Sequence, residues 1–463
     1  MSLRMNDGAA APESAAPEVN CTLPTKPTRE RWKVLAWLSC IAVFTYIGRI
    51  GISGQIRENI ESDLHLVPAL TAYAISAFTL SYALFELPSG FLGDRFGPRK
   101  VLTRIVMCWM VFTALTAAAW NLGSLIAVRF MVGAGEAGAF PNIARATREW
   151  FPFRERGLAQ GLVWMMARFG GAITFPLLLA LSRFFGWRGA FVVTGAFGVV
   201  WVIFFWMRFR DRPSEDQRVN TAERALIAEG KAAQAKKAAP LSWSTLFGSS
   251  TMWFLLLMYF ASNAGWSFFA SWITPYLEKD LHLKGMALAV GSGAPLFFGG
   301  IACLIGGLLT DRLVRTWGRR WGRTLIGTVG YAIAGAMMLV ALIYKSNPAI
   351  ALAAVCFSSF AKDLGMASTW AITIDIGHSY SGTVSGLMNS IGNLAQVISV
   401  PVVAQLAIWA GTRGEMNWNI SLYYYGAMFF ISSFALIFID PRRTVVYSPE
   451  DRMRLESEGL LSR

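Results

Sequence analysis

The stretch RFMVGAGEAGAFPN, residues 129–142, decides the fold: it is apolar and rich in glycine and alanine, yet it carries Arg129 and Glu136. Small residues along one side of a helix let it approach its neighbours closely in a bilayer. A charge at that depth costs about 2.5–3.5 kcal/mol even on the mildest scale, so such groups face a polar cavity or one another. Their spacing puts both on one helix face, roughly 10 Å apart along the axis. Two readings stand. The pair lines the cavity of a proton-coupled carrier of organic anions, or it is an internal ion pair locking two helices together.

The surrounding chain is that of a polytopic membrane protein. Its 463 residues are 54% hydrophobic and 15% charged, with a mean hydropathy of +0.45, far less charge than a soluble domain carries. Hydropathy marks about twelve apolar segments of about 20 residues each, the length that crosses a bilayer. The net charge of +14 would suggest nucleic acid in a soluble chain. Here the Lys and Arg residues sit in short loops on alternate sides, so the positive-inside rule accounts for them and no nucleic-acid partner is expected. Cys21, Cys40, Cys108, Cys303 and Cys356 are scattered with no metal or redox spacing and read as small hydrophobes.

Taken outward, residues 1–30 are expected to form a disordered cytoplasmic tail. The segments of the first half run 32–53, 69–92, 101–120, 125–144, 157–181 and 189–207, within a bundle spanning 31–208. Residues 209–248 are polar, basic on balance and helix-prone after Asn220, a cytoplasmic linker. The second bundle, 249–441, holds segments 252–276, 287–309, 324–344, 349–374, 384–409 and 421–439, and 442–463 form a cytoplasmic tail. GGLLTDRLVRTWGRR at 306–320 echoes GFLGDRFGPRK at 90–100, each after the second segment of its half. An internal repeat about a central linker marks a transporter built from two halves. The expected fold is an all-α membrane protein with twelve transmembrane helices in two pseudo-symmetric six-helix bundles.

These features together resemble the major facilitator superfamily. Within it the chain is similar to the anion:cation symporter branch, which includes bacterial sugar-acid carriers and the vesicular glutamate and sialic acid transporters. The superfamily signature is the Gly90, Asp94, Arg95, Gly97, Arg99 loop. The branch match rests on Arg129, Glu136, Pro141 and Asn142, on WFPFRERG at 150–157, on DRPSEDQRVNTAE at 211–223, and on GLMNSIGN at 386–393 with Pro401 beyond. It covers about residues 30–445.

The resemblance implies that Arg49 and Arg129 attract and orient a carboxylate, which suits a guanidinium fork that donates two parallel hydrogen bonds. It implies that Tyr46, Tyr82, Trp370 and Asn393 contact the substrate, and that Glu136 takes up and releases the proton, the neutral form of a buried carboxylate being favoured. Asp94, Arg95, Arg99, Asp311 and Arg312 would close the inner gate. Many bacterial members carry an aspartate immediately before the first arginine, where this chain has Gly48, so a relay of two carboxylates is in question. Arg168 is a further intramembrane cation. Either it faces the cavity, which suits a dianionic or aromatic acid, or it is the structural partner of a carboxylate.

Other charges have structural readings. Glu86 is expected to pair with an arginine at the gate, and Asp375 with His378 to form the gate of the second half. The adjacent Lys362 and Asp363 are expected to point to different faces, the lysine reaching the outer boundary, or to pair with other helices. No phosphate-binding loop or nucleophile with its base is found, so the protein is not expected to be an enzyme. No cofactor or metal is expected either, and the coupling ion is the proton. The expected function is uptake of a small organic anion, a sugar acid such as a hexuronate or aldonate, by a monomer in the bacterial inner membrane with both termini inside. The alternatives are an uncoupled uniporter or exchanger, an organophosphate exchanger, and a transceptor. The organophosphate reading asks for a basic residue in the seventh segment, where MWFLLLMYFASNAGWSFFASW has none.

Overall fold

The computed structural model describes residues 26–50, 52, 55–66, 68–229, 243–411, 417 and 419–442. Among these, helices are the only regular structure. The expected N-terminal tail before 26, the middle of the linker and the C-terminal tail lie outside the described residues. The first run of helices is α1 (Glu30–Ile50), α2 (Gln55–Asp63), α3 (Pro68–Phe96), α4 (Pro98–Leu115), α5 (Leu122–Glu136), α6 (Ala139–Trp150) and α7 (Arg156–Arg208). Two short helices follow, α8 (Thr221–Ala228) and α9 (Trp243–Gly248). The second run is α10 (Ser250–Ser267), α11 (Ile273–Lys279), α12 (Gly285–Ile343), α13 (Pro348–Leu364), α14 (Met366–Gly377), α15 (Ser381–Trp409) and α16 (Asn419–Ile437). Seven helical stretches among the described residues are long and apolar enough to cross a bilayer.

The boundaries follow local chemistry. Pro98 opens α4, where its missing N–H and fixed φ fit the first turn. Asn121 caps α5 by accepting from Ser124 N at 2.8 Å, and Ser124 Oγ in turn accepts from Asn121 N. The long helices α7 and α12 each reverse at one glycine, Gly186 (φ 66°) and Gly318 (φ 80°), a conformation that side chains resist. Each therefore joins two of the segments expected from hydropathy.

One of the expected segments is broken by a left-handed residue. The 125–144 stretch divides at Ala137–Gly138, where Gly138 has φ 91° and a Cβ would stand 2.2 Å from the Cβ of Ser89. The close approach of α3 and the left-handed backbone both require glycine there. The N–H of Gly138, left over at the start of α6, donates to Glu86 Oε2 at 3.1 Å. Glu136 thus ends α5 instead of lying inside a continuous helix.

The two runs meet along two seams, α3 against α15 and α7 against α12. Both are closed by backbone-to-backbone approach. A Cβ on Gly90 would lie 2.2 Å from Gly382 O, and one on Gly161 would lie 2.6 Å from Cys303 O. Large aromatics cover the outside, among them Trp120, Phe184 and Trp409. The linker does not hang free over its described part. Glu223 of α8 is fully buried and accepts from Thr28 Oγ1 and from the backbone N–H groups of Glu30 and Arg31. It also pairs with the Arg31 guanidinium at 3.0 Å.

Candidate functional site: a central cavity above a charged gate

Asp94 and Asp311, the repeated aspartates, occupy equivalent places. Asp94, on α3, accepts from the N–H groups of Gly382 (3.0 Å) and Thr383 (2.6 Å) at the start of α15. Asp311, on α12, accepts from Gly157 N (3.0 Å) and Leu158 N (2.6 Å) at the start of α7. Each carboxylate from one run caps a helix of the other run, where free N–H groups and the helix dipole both favour negative charge. Arg145 pairs with Asp94 at 3.2 Å. On the Asp311 side the network is larger: Arg323 bridges Asp311 and Asp375, each at 3.0 Å, and Arg156 reaches Asp375 at 2.9 Å.

Several gate expectations are corrected here. Arg95 and Arg312 are exposed, because they follow the buried aspartate by one residue and so turn away from it on the helix; Arg95 lies over the Phe96 ring. Arg99 stacks 4.2 Å over Trp206 and donates its backbone N–H to Asp211 at 2.7 Å, tying α4 to the end of α7. Burial there raises the Asp211 carboxyl above its ordinary value. Glu86 meets no arginine at the gate. It is buried and accepts from Asn389 Nδ2 at 2.7 Å across the α3–α15 seam, as well as from Gly138. His378 sits at the turn before α15 with φ 41° and takes no part in the Asp375 pairs. The arginines that do the pairing, Arg145, Arg156 and Arg323, could have been sought among the basic residues that follow the fourth segment of the first half and the repeated motif of the second.

Beyond the gate, a small cavity lies between the two runs. Tyr46 and Arg49 of α1 face it, with Trp164 and Arg168 of α7, Asn263 and Trp266 of α10, and Asn389 and Asn393 of α15. About 10 Å³ of it is open to the centre of a water molecule, which is room for roughly one water. A six-carbon acid does not fit in it. Of the residues expected to contact substrate, Tyr46, Arg49, Asn393 and Arg168 are on the wall.

Tyr82, Arg129 and Trp370 stand behind it. Tyr82 puts its ring 4.5 Å under the Arg49 guanidinium. Arg129 is buried, lies 4.6 Å from the Phe78 ring centroid and donates to Gly48 O at 3.3 Å. Trp370 donates its indole N–H to Tyr259 OH at 3.2 Å, and the Tyr259 ring forms part of the wall.

Glu136 is fully buried, and neither carboxyl oxygen has a hydrogen-bond partner. It makes no ion pair with Arg129, two helical turns away, so the locked-pair reading of these two residues fails. The carboxyl lies instead beside Gly48 and Trp109. A Cβ on Gly48 would stand 2.2 Å from Trp109 Nε1 and 2.9 Å from Glu136 Oε2. The indole therefore fills the place from which a side chain at 48 would project, and its own N–H is also without a partner.

Lys362 and Asp363 do not point apart. Both are buried, and the flexible lysine stem brings Nζ to 2.8 Å from Asp363 Oδ1. Asp363 also receives the Arg168 fork, Nε to Oδ2 at 3.0 Å and the terminal nitrogen to Oδ1 at 3.1 Å. Arg168 is thus both a carboxylate partner and a cavity residue. Among the described residues no group of His, Cys, Asp and Glu could hold a metal ion.

The sequence profile of the Major Facilitator Superfamily matches residues 38–400. The chain belongs to this superfamily. A facilitator is a membrane transporter and not an enzyme, and the relatives agree. The probable sulfoacetate transporter SauU of Cupriavidus necator is 33% identical over 92% of this chain and 97% of its own length. The hexuronate transporter of Escherichia coli K12 is 26% identical, covering 81% of this chain and 88% of that one. The probable galactarate/D-glucarate transporter GudP of Bacillus subtilis is 27% identical over 92% of this chain and 96% of its own. Among solved structures, the proton:xylose symporter XylE bound to 6-bromo-6-deoxy-D-glucose superposes with a TM-score of 0.70 at 15% identity, over 90% of this facilitator and 98% of that chain. That likeness is one of fold.

Proposed function

We propose that this facilitator takes up a small organic anion of the sugar-acid class together with protons, by alternating access. The observation that carries the reading is the cavity, which has guanidinium groups of Arg49 and Arg168 on its wall and amides of Asn263, Asn389 and Asn393 beside them. Guanidinium forks suit carboxylates and sulfonates, and amides suit hydroxyls. The relatives named for sulfoacetate, hexuronates and galactarate/D-glucarate all carry small organic anions. Glu136 is the proton site and no other cofactor takes part. A carboxyl with no hydrogen-bond partner, beside Gly48 and Trp109, can gain or lose its proton without dismantling a network.

The protein lies in a bacterial inner membrane as a monomer with twelve crossings in two six-helix bundles. Two of the apolar stretches, of 54 and 62 residues, are each longer than one crossing of about 20 residues requires. The basic gate end faces the cytoplasm, with both termini. The Asp94 and Asp311 clusters then hold the inside shut while the cavity awaits opening from outside.

A second reading, uniport or exchange without protons, draws support from Trp109, which fills the space beside Gly48 where related carriers have an aspartate. Uptake of labelled sulfoacetate, D-glucuronate and D-glucarate into proteoliposomes separates the two. An imposed pH gradient, acid outside, is expected to drive at least one acid above equilibrium, and a protonophore to abolish that accumulation. Equilibration alone would support the uncoupled reading, and no flux of any acid would overturn both.

A further inference from the structure

Arg168, Lys362 and Asp363 form a buried cluster in which two cations share one carboxylate. Asp363 is pinned from behind: a Cβ on Gly299 of α12 would lie 2.3 Å from its Oδ2. The two cations converge on one ring of the cavity wall. The Arg168 carbon lies 3.8 Å from the Trp266 ring centroid and Lys362 Nζ lies 4.6 Å from it. A further Arg168 nitrogen donates to Tyr46 OH, another wall residue. Two basic side chains therefore share one carboxylate, out of water, at the wall of the same cavity that Arg49 enters. A purely structural ion pair needs only one of the two basic groups, and burying the second beside the same carboxylate is costly.

We propose that Arg168 and Lys362, sharing Asp363, make a second anion subsite, so that the transported substrate carries two acidic groups, one held at Arg49 and the other here. Asp363 is the internal counter-anion of the contracted cavity. When the runs part, the second acidic group of the substrate joins it on the two basic side chains. This deepens the organic-anion reading above and rests on it.

The test is binding to the purified full-length protein by isothermal titration, with matched pairs differing by one acid group: D-glucarate against D-gluconate, and succinate against butyrate. The diacid is expected to bind at least about tenfold tighter, equivalent to 1.4 kcal/mol or more. Arg168→Gln is expected to collapse that ratio toward one. Lys362→Met, which leaves the Arg168–Asp363 fork between the runs, gives the same readout should Arg168→Gln fail to fold. Equal binding of diacid and monoacid by the parent protein overturns the second subsite and leaves the organic-anion reading standing. So does a ratio that both variants leave unchanged while weakening the two ligands alike, the result a structural latch would give. Binding of none of the four acids overturns the organic-anion reading and the subsite with it.

Discussion

A Cβ built on Gly48 stands 2.2 Å from Trp109 Nε1, a contact no side chain sustains, so Gly48→Asp has to displace the indole. Overpacking of this kind costs about 1–3 kcal/mol, and a lower Tm in detergent is the expected result. Because the two residues touch, their effects are coupled. Gly48→Asp combined with Trp109→Leu is expected to lose less stability than the sum of the single changes. Strict additivity would show that the indole is not the obstacle. The resemblance to anion carriers drew attention to position 48, but only packing shows what took the missing carboxylate's place. The same holds for Lys362 and Asp363. Their adjacency suggests divergence, and it takes the reach of a lysine stem and the fork of Arg168, 195 positions away, to bring them together.

At the scale of elements, two aspartates spaced like their repeats cap helices that belong to the opposite run. This arrangement was partly legible. The repeat of Asp94-Arg95 at Asp311-Arg312 stands out, and the family resemblance is what implies a gate there. Their partners were not legible, since the Asp94 contacts with α15 join residues 288 and 289 positions apart and no local pattern encodes them. The break at Gly138 was hidden for a different reason: glycine and alanine in a membrane helix signal close packing as readily as a kink. Asp94→Asn and Asp311→Asn each remove the charge while keeping the shape. The loss at each helix start is about 0.3–1 kcal/mol, up to about 2 kcal/mol when partly buried. Both variants are expected to shift the protein toward the form open at this end, seen as longer spin-label distances between α3 and α15 and between α7 and α12. If only one variant shifts its seam, the two aspartates are not equivalent.

At the scale of the whole molecule, the gate clusters, the glycine seams and the contracted cavity describe one closed conformation. On the proposed reading, opening exposes Arg49 and the Arg168 cluster to substrate. The linker is tied to the start of the first helix. Glu223, which reads in sequence as one more solvated acid, is buried against the start of α1 and pairs with Arg31. The overall architecture was readable because bilayer thickness forces a length and a hydropathy on every crossing. Side-chain placement inside it was less so: Tyr46, Arg49, Arg168 and Asn393 lie on the cavity wall, whereas Glu86, Lys362 and Asp363 find partners that no local pattern encodes.

The central claim is that Glu136 carries the proton. Its oxygens have no hydrogen-bond partner to lose, so Glu136→Gln preserves the fold while removing the titrating group. In proteoliposomes under an imposed pH gradient, the variant is expected to exchange labelled substrate across the membrane and to fail to accumulate it, with no substrate-driven alkalinisation outside. Accumulation and alkalinisation equal to those of the parent protein would contradict the account.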